Sequence, residues 1–180
     1  MYNNHRCINA YGYFYRTVIV MTLYLKRDVS ADNRCFVVFD AMGAERYLVS
    51  KPSSGLMTKF KLVITDASGR EAAKIRRVPL VGTVTYVLRF GRKHVTLVTV
   101  PTTTGVSAYF YGSNWHIVGE FAARNFSIID VDKTLISEIR RHADYCELNI
   151  PDSSNELFCV AASVCASLIN TIDSPALQAV

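Results

Sequence analysis

Ser153–Ile172, with the sequence SSNELFCVAASVCASLINTI, is apolar on nearly every side and carries no charge after Glu156. The apolar residues surround the axis instead of forming one stripe, which is typical of a helix that is buried on all sides. Ser153 and Glu156 have the spacing of a capping box, in which each side chain bonds the backbone N–H of the other residue. Pro175 ends the segment, because the residue before a proline is disfavoured in the helical conformation. We therefore expect a helix over about 154–172, with the rest of the chain packed around it.

This helix is also the stretch that most resembles a membrane span. Leu157–Ile172 is uncharged. At about 1.5 Å per residue it reaches about 24 Å, which is shorter than the roughly 30 Å hydrocarbon core of a bilayer. The length favours a buried core helix over a tail anchor. The other apolar run, Val18–Leu25, is followed by Lys26-Arg27-Asp28, where a signal peptide needs a small-residue cleavage site. We expect no transmembrane segment.

The composition fits one globular domain in a reducing compartment. The chain has 180 residues, half of them hydrophobic, which is enough to bury a core without staples. Its five cysteines are an odd number without a Cys-x-x-Cys motif, so we expect free thiols in the core, no metal site and a cytoplasmic location. The predicted organisation is an N-terminal extension over 1–20, a single domain over 21–173 and a C-terminal tail over 174–180.

Short β-rich runs separated by turn residues fill the chain before the helix, a pattern typical of an antiparallel meander. Two of the turns share the form Asp-x-x-Gly, at Asp40–Gly43 and Asp66–Gly69. Pieces rich in proline, glycine, serine and threonine, Lys51–Leu56 and Pro101–Gly105, are the expected mobile loops. The runs predicted as strands are Thr22–Lys26, Phe36–Phe39, Arg46–Val49, Phe60–Thr65, Ala72–Ile75, Thr83–Phe90, Val95–Val100, Ser107–Tyr111, Trp115–Phe121, Phe126–Ile129, Thr134–Arg140 and Tyr145–Ile150.

A dozen strands followed by one all-apolar helix leave few architectures. An open sheet covers only one side of a helix, whereas a closed barrel covers every side and removes the sheet edges. The strands have the apolar face that this requires, as in Phe60, Leu62 and Ile64 followed by Ala73 and Ile75. We therefore predict a mainly β fold, a closed antiparallel β-barrel of about twelve strands around a central hydrophobic C-terminal α-helix.

The order of these motifs resembles that of a known family. Phe36-Val37-Val38-Phe39-Asp40-x-x-Gly43 is followed by Lys61-Leu62-Val63-Ile64-x-Asp66-x-x-Gly69, then by Trp115-x-Ile117-x-Gly119 and the apolar helix. This succession, over roughly Thr22–Ile172, resembles the LURP-one-related family of the tubby C-terminal-like and phospholipid-scramblase-like superfamily. The resemblance implies a twelve-stranded barrel around a hydrophobic helix. The biochemical function of the family is mostly undefined. Tubby relatives bind phosphoinositides through basic strand residues and scramblase relatives are membrane-associated, and both are analogies across the fold, since a fold alone does not fix a function.

The best candidate site lies on the second Asp-x-x-Gly hairpin. If Phe60 opposes Ile75, then Lys61 opposes Lys74 and Lys59 opposes Arg76 on the outer face. Like charges directly opposed are unfavourable, so an anion resting across the hairpin would be stabilised there. The alternative is that the four cations are simply solvated or pair with neighbouring carboxylates, since exposed charges interact weakly.

Other polar groups are weaker candidates. Two further basic groups are Arg89-x-x-Arg92-Lys93-His94 at a hairpin tip and Arg140-Arg141-His142 at a strand end. Convergence at one end of the barrel would make them a second basic patch, but we favour solvated tips. His116 and Glu120 share a strand face, but no nucleophile stands at a turn that would expose it. Asp130 and Asp132 are expected in a tight turn for backbone reasons alone. No catalytic residue, cofactor site or metal site is predicted.

These observations favour a non-catalytic binding module. The net charge of +5 suits an anionic membrane surface or a phosphorylated ligand, and we do not favour nucleic acid. The candidate site consists of Lys59, Lys61, Lys74 and Arg76. The alternatives are a protein-interaction or structural module without a ligand and, third, an uncharacterised enzyme. A lipid ligand would place the protein in the cytoplasm, peripheral to a membrane.

Overall fold

Twelve β-strands followed by one α-helix make up the described part of the chain. The structure is a computed structural model and describes residues 21–28, 30, 33–52, 61–80, 83–103 and 105–169. The predicted extension over 1–20, the end of the predicted helix and the tail over 174–180 lie outside these residues, so the predicted domain boundaries stay a prediction. The elements are β1 Met21–Arg27, β2 Arg34–Asp40, β3 Glu45–Ser50, β4 Lys61–Asp66, β5 Glu71–Leu80, β6 Thr83–Phe90, β7 Lys93–Thr102, β8 Gly105–Tyr111, β9 His116–Glu120, β10 Asn125–Ile129, β11 Leu135–Arg141, β12 Tyr145–Ile150 and α1 Glu156–Ile169.

The strands form one antiparallel sheet that curves into a nearly closed barrel. The hydrogen-bonded order is β8-β7-β6-β5-β4-β3-β2-β1-β12-β11-β10-β9, with β1 and β12 paired between residues far apart in sequence. The two outer strands, β8 and β9, contact each other, but no ladder joins them in the described residues. We call this contact the seam. The predicted fold class, a mainly β barrel with a C-terminal helix, is confirmed.

The helix fills the barrel, as its all-round apolar sequence predicts. Every residue from Cys159 to Ser167 is buried, and Ser163 donates its hydroxyl to the carbonyl oxygen of Cys159 at 2.9 Å. This bond satisfies a polar group that faces no water. Inward-facing Leu62, Ile64, Ala73 and Ile75 are buried as expected, while Phe60 lies outside the described residues. The core is therefore one cluster built from the inner barrel face and the whole helix surface.

Phe158 on the helix packs against both strands that border the seam. Its ring centroid lies 5.0 Å from that of Phe110 on β8 and 4.5 Å from that of Trp115, the residue before β9. Phe90 on β6 lies 5.8 Å away. Edge-to-face aromatic contacts of this kind add to the area they bury. Side-chain packing on the helix thus connects β8 and β9 at the seam, where no backbone hydrogen bonds join the described residues of the two strands.

The described cysteines behave as core hydrophobes. Cys146, Cys159 and Cys165 are buried free thiols, and Cys35 is half-buried and also free. Burial raises the pKa of all four, that of Cys159 to about 12. Such thiols are poor nucleophiles at neutral pH.

Several strands are longer than predicted, β5 and β7 most of all. β5 runs to Leu80 instead of ending at Ile75, because β6 supplies a partner for each residue as far as the Leu80–Thr83 pair. β7 runs to Thr102 and β8 begins at Gly105, so most of the predicted loop Pro101–Gly105 is strand. The loop prediction there is wrong because backbone pairing continues almost to the hairpin tip.

The start of the helix also differs from the prediction. Asp152, not Ser153, is the cap: its carboxylate accepts from the backbone N–H of Ser154 at 2.9 Å, ahead of a 3-10 turn at Ser153–Asn155. The predicted capping box is therefore wrong. The Glu156 side chain is only 9 % exposed and turns towards the barrel wall instead.

Arg46 on β3 neutralises this buried carboxylate. Its Nη2 lies 3.2 Å from both Oε1 and Oε2 of Glu156, and its Nε lies 3.4 Å from Oε1. The charge of Glu156 raises the pKa of Arg46 further above its ordinary value. Burial, reinforced by the same carboxylate, raises the pKa of neighbouring Tyr47 to about 12. One ion pair thus fixes the first turn of the helix to the wall.

In the described residues no helix is long and apolar enough to cross a membrane. The terminal helix over Glu156–Ile169 lies inside the barrel, which agrees with the length argument made from the sequence.

We expect Arg46→Ala to lower the free energy of unfolding by about 1–2 kcal/mol, because it leaves the buried Glu156 carboxylate without its cation. The value is below that of a fully buried pair because Arg46 is itself half-exposed. Urea denaturation at pH 7 measures the change. Arg70→Ala is the matched control, since Arg70 pairs with Asp66 in an exposed turn and should cost about 0.5 kcal/mol or less. Equal losses in the two variants would show that the Arg46 pair has no special role.

Candidate anion-binding site

The β4–β5 hairpin brings the predicted cations together in a register that differs from the predicted one. Lys61 opposes Arg76 and Val63 opposes Lys74, two residues away from the predicted pairing of Lys61 with Lys74. Lys59 lies outside the described residues. Because the difference is an even number, the same side chains still face outward.

The Asp66 turn explains the difference in register. Its carboxylate Oδ1 accepts from the backbone N–H groups of Ser68 and Arg70. The Gly69 N–H donates to the Asp66 carbonyl oxygen at 2.8 Å and closes the turn, and the strands then pair from Asp66 with Arg70, one residue beyond Gly69. A register shift follows between Ile64 and Thr65. These hydrogen bonds lower the pKa of Asp66 to about 2, with the Ser68 hydroxyl as the largest contributor.

The neighbouring strands add cations that the sequence alone assigned to a separate hairpin tip. Lys74 on β5 opposes Arg89 on β6, which in turn opposes His94 on β7. Arg76 opposes Val87 in the next row. The signal for this arrangement was present in the sequence, since alternation along Thr83–Phe90 sends Arg89 outward and successive hairpins usually pair.

The outward-facing cations of the β4–β5 hairpin and of its neighbours line one groove of about 750 Å³ on the outer wall of the barrel, which we call the cationic groove. It runs across β4, β5, β6 and the start of β7. Glu71 is the one carboxylate among its described lining residues. The basic and imidazole side chains that line it are Lys61, Lys74, Arg76, Arg89, Arg92 and His94.

The positive charges of the groove are only partly neutralised. Lys74 Nζ lies 2.8 Å from Glu71 Oε2, with both side chains about half-exposed. Lys61, Arg76 and Arg92 form no ion pair with any described residue. Cations placed directly across a strand pair repel one another. An anion with several acceptor oxygens would relieve that repulsion, and arginine presents donors in the fork that carboxylates and phosphates fit.

The basic group Arg140-Arg141-His142 at the end of β11 does not join the cationic groove. Arg140 pairs with Glu138 at 2.8 Å and His142 lies 3.2 Å from Glu147. The turn between β11 and β12 is at the end of the barrel opposite to the turn between β6 and β7, because neighbouring strands alternate in direction. Arg140, Arg141 and His142 are therefore a separate, largely paired cluster.

The candidate catalytic groups are not assembled into a site. His116 and Glu120 are the first and last residues of β9, about 13 Å apart at about 3.3 Å per residue. Asp132 accepts from the N–H of Thr134 and Asp130 from that of Val131, so both carboxylates serve the turn. Backbone hydrogen bonding lowers the pKa of Asp132. The described residues contain no cluster that could hold a metal ion.

Comparison with known proteins agrees with this architecture. The profile of the LURP-one-related family matches residues 21–167, most of the chain. The chain belongs to the LURP-one-related family. A protein from Arabidopsis thaliana whose X-ray structure is solved shares the fold with this LURP-one-related chain, with a TM-score of 0.57 and 15% sequence identity over 84% of this chain and 91% of that one. No curated protein matches the sequence. These likenesses establish the family and the fold, and the resemblance drawn from the sequence motifs is confirmed.

The repulsion between the opposed cations Lys61 and Arg76 is expected to lower the free energy of unfolding. We expect Lys61→Thr to raise the free energy of unfolding by about 0.5 kcal/mol relative to Lys26→Thr at low ionic strength, because it removes the repulsion from Arg76. Lys26 is an exposed strand lysine that opposes Tyr145 and Val37, so it controls for the strand preference of threonine. Urea denaturation measures both. The difference should vanish near 1 M salt, where the Debye length is about 3 Å. No difference at low salt would mean that the cations splay apart.

Proposed function

We propose that this LURP-one-related barrel is a non-catalytic binding module whose cationic groove binds phosphate-bearing anions, phospholipid headgroups first among them. The observation that carries the proposal is the convergence of cations from β4, β5, β6 and the β6–β7 turn on one groove. Lys61 directly opposes Arg76, and Lys74 directly opposes Arg89. An arrangement that is electrostatically unfavourable when empty gains most from an anionic ligand.

The chemistry of the lining supports binding rather than catalysis. The described lining residues include no serine, threonine or cysteine that could act as a nucleophile. They do include three arginines, whose planar guanidinium groups bind phosphate oxygens in pairs. The same chemistry would serve a lipid headgroup or a free phosphorylated ligand. In this proposal the protein works in the cytoplasm, peripheral to a membrane.

Charge reversal tests the proposal. We expect Lys61→Glu/Lys74→Glu to weaken binding at least about tenfold, both to vesicles that contain phosphatidylserine and to inorganic pyrophosphate, because each membrane-facing basic residue contributes about 1 kcal/mol. Sedimentation measures vesicle binding and titration calorimetry measures pyrophosphate binding, both at low salt.

The matched control for this variant is Lys26→Glu/Lys133→Glu, which changes the net charge equally on β1 and on the β10–β11 turn. The control should bind nearly as well as the parent chain. If the two double variants bind alike, overall charge and not the groove attracts the anion. Absence of all binding by the parent chain would leave a protein-interaction module without a ligand as the better assignment.

Glu71 provides an independent test with the opposite sign. Its carboxylate holds Lys74 at 2.8 Å and so competes with any anion for that ammonium group. We expect Glu71→Gln to tighten pyrophosphate binding by about 1.4- to fivefold, which corresponds to the roughly 0.2–1 kcal/mol of an exposed ion pair. Glu120→Gln, an exposed carboxylate on β9, is the control for net charge. Equal affinities in the two variants would place the bound anion away from Lys74.

A further inference from the structure

Two exposed tyrosines on β8 are not explained by the barrel core. Alternation turns Phe110 inward, whereas Tyr109 and Tyr111 face outward with 40 % and 62 % of their surface exposed. Their rings lie 5.6 Å apart at 67°. They form a small aromatic surface on the wall of the barrel beside the seam, which we call the tyrosine pair.

The register places the tyrosine pair and the cationic groove on one continuous surface. Lys61 opposes Arg76, Arg76 opposes Val87, Val87 opposes Thr96 and Thr96 opposes Tyr111. This cross-strand row connects the groove directly to Tyr111. At about 4.8 Å per strand, Tyr111 lies about 14 Å from Arg76 along the wall.

Among the described residues, no acidic group lies on β6 or β7 between the groove and the tyrosines. The outward positions of β6 and β7 that separate them are Thr85, Val87, Thr96 and Val98. They are small and uncharged. Tyr109 continues this surface, since it opposes Val98. The cations of the groove reach Arg89 on β6 and His94 on β7, and an uncharged row through Val87 and Thr96 leads from Arg76 to the aromatic rings on β8.

This combination matches the chemistry of an anionic bilayer surface. Basic side chains are attracted to acidic headgroups, and the amphipathic ring of tyrosine favours the boundary between headgroups and acyl chains. A cationic patch alone would also suit a soluble polyanion, which has no apolar layer for the rings. The tyrosine pair is the feature that distinguishes a lipid surface from a free phosphate.

We propose that the wall formed by β4–β8 docks side-on against an anionic membrane, with acidic headgroups in the cationic groove and Tyr109 and Tyr111 in the interfacial layer. This inference rests on the proposed function, since it assigns the source of the anion that the groove binds. The tyrosines form a second contact whose loss leaves the groove intact.

The experiment separates the two contacts with two probes. Sedimentation measures binding to vesicles of phosphatidylcholine and phosphatidylserine, and calorimetry measures binding of inorganic pyrophosphate. We expect Tyr109→Ser/Tyr111→Ser to weaken vesicle binding about tenfold while the affinity for pyrophosphate stays unchanged. The control is Leu135→Ser/Val131→Ser, which removes apolar side chains of matched exposure, 42 % and 64 %, on and beside β11. The control should leave both measurements unchanged.

Each outcome decides between the two ideas. Unchanged vesicle binding by the tyrosine variant overturns the docking surface and leaves the groove proposal standing. Pyrophosphate binding without vesicle binding by the parent chain also overturns the docking surface and indicates a soluble ligand. If the parent chain binds neither the vesicles nor pyrophosphate, the proposed function itself is overturned.

A tryptophan at position 111 would report directly how deeply the tyrosine pair enters the bilayer. Trp115 is the only native tryptophan and its half-buried ring packs against Phe158, so it provides a constant background. We expect Tyr111→Trp to add an emission component that shifts to the blue on vesicle binding and is quenched by lipids with brominated acyl chains. Leu135→Trp should show neither change. Equal quenching of the two variants would overturn the side-on orientation even if the serine variant folds poorly.

Discussion

The burial of a helix that has no polar face is the constraint on which the rest of this structure depends. Glu156 is the only charged residue in the helix Glu156–Ile169. Its charge is neutralised by Arg46 on the barrel wall, because the carboxylate is buried away from water. Every other position of the helix needs an apolar neighbour, and only a wall that surrounds it supplies one. The barrel is accordingly built from strands whose inner faces carry side chains for the helix, and its outer face is left for polar contacts.

The same constraint explains how the barrel tolerates an incomplete ladder. β8 and β9 are not joined by backbone hydrogen bonds in the described residues, yet Phe110 and Trp115 both pack on Phe158 of the helix. Side-chain packing on the central helix thus replaces part of the closure that backbone pairing provides elsewhere. The edges of the sheet are held against each other by the contents of the barrel.

Since the helix fills the inner face, the proposed anion site lies on the outer wall. There the sheet places Lys74 beside Arg89 and Lys61 beside Arg76, with Glu71 as a partial counter-charge. Exposed like charges lower the stability of a sheet only slightly, because water and ions screen them. A protein whose core is secured by an enclosed helix can carry such a surface, and attraction to a bound anion would offset the repulsion between the cations.

The sequence alone determined the number of strands, the enclosed helix and the outward direction of Lys61, Lys74 and Arg76, because alternation and all-round apolarity are local patterns. Only the tertiary structure decided the register, which depends on how the Asp66 side chain shapes its turn. It also decided that Arg89, Arg92 and His94 join the groove and that Glu156 pairs with Arg46 instead of capping its own helix. Contacts between residues distant in the chain depend on which strands become neighbours and which charges are buried, and local pattern does not encode either.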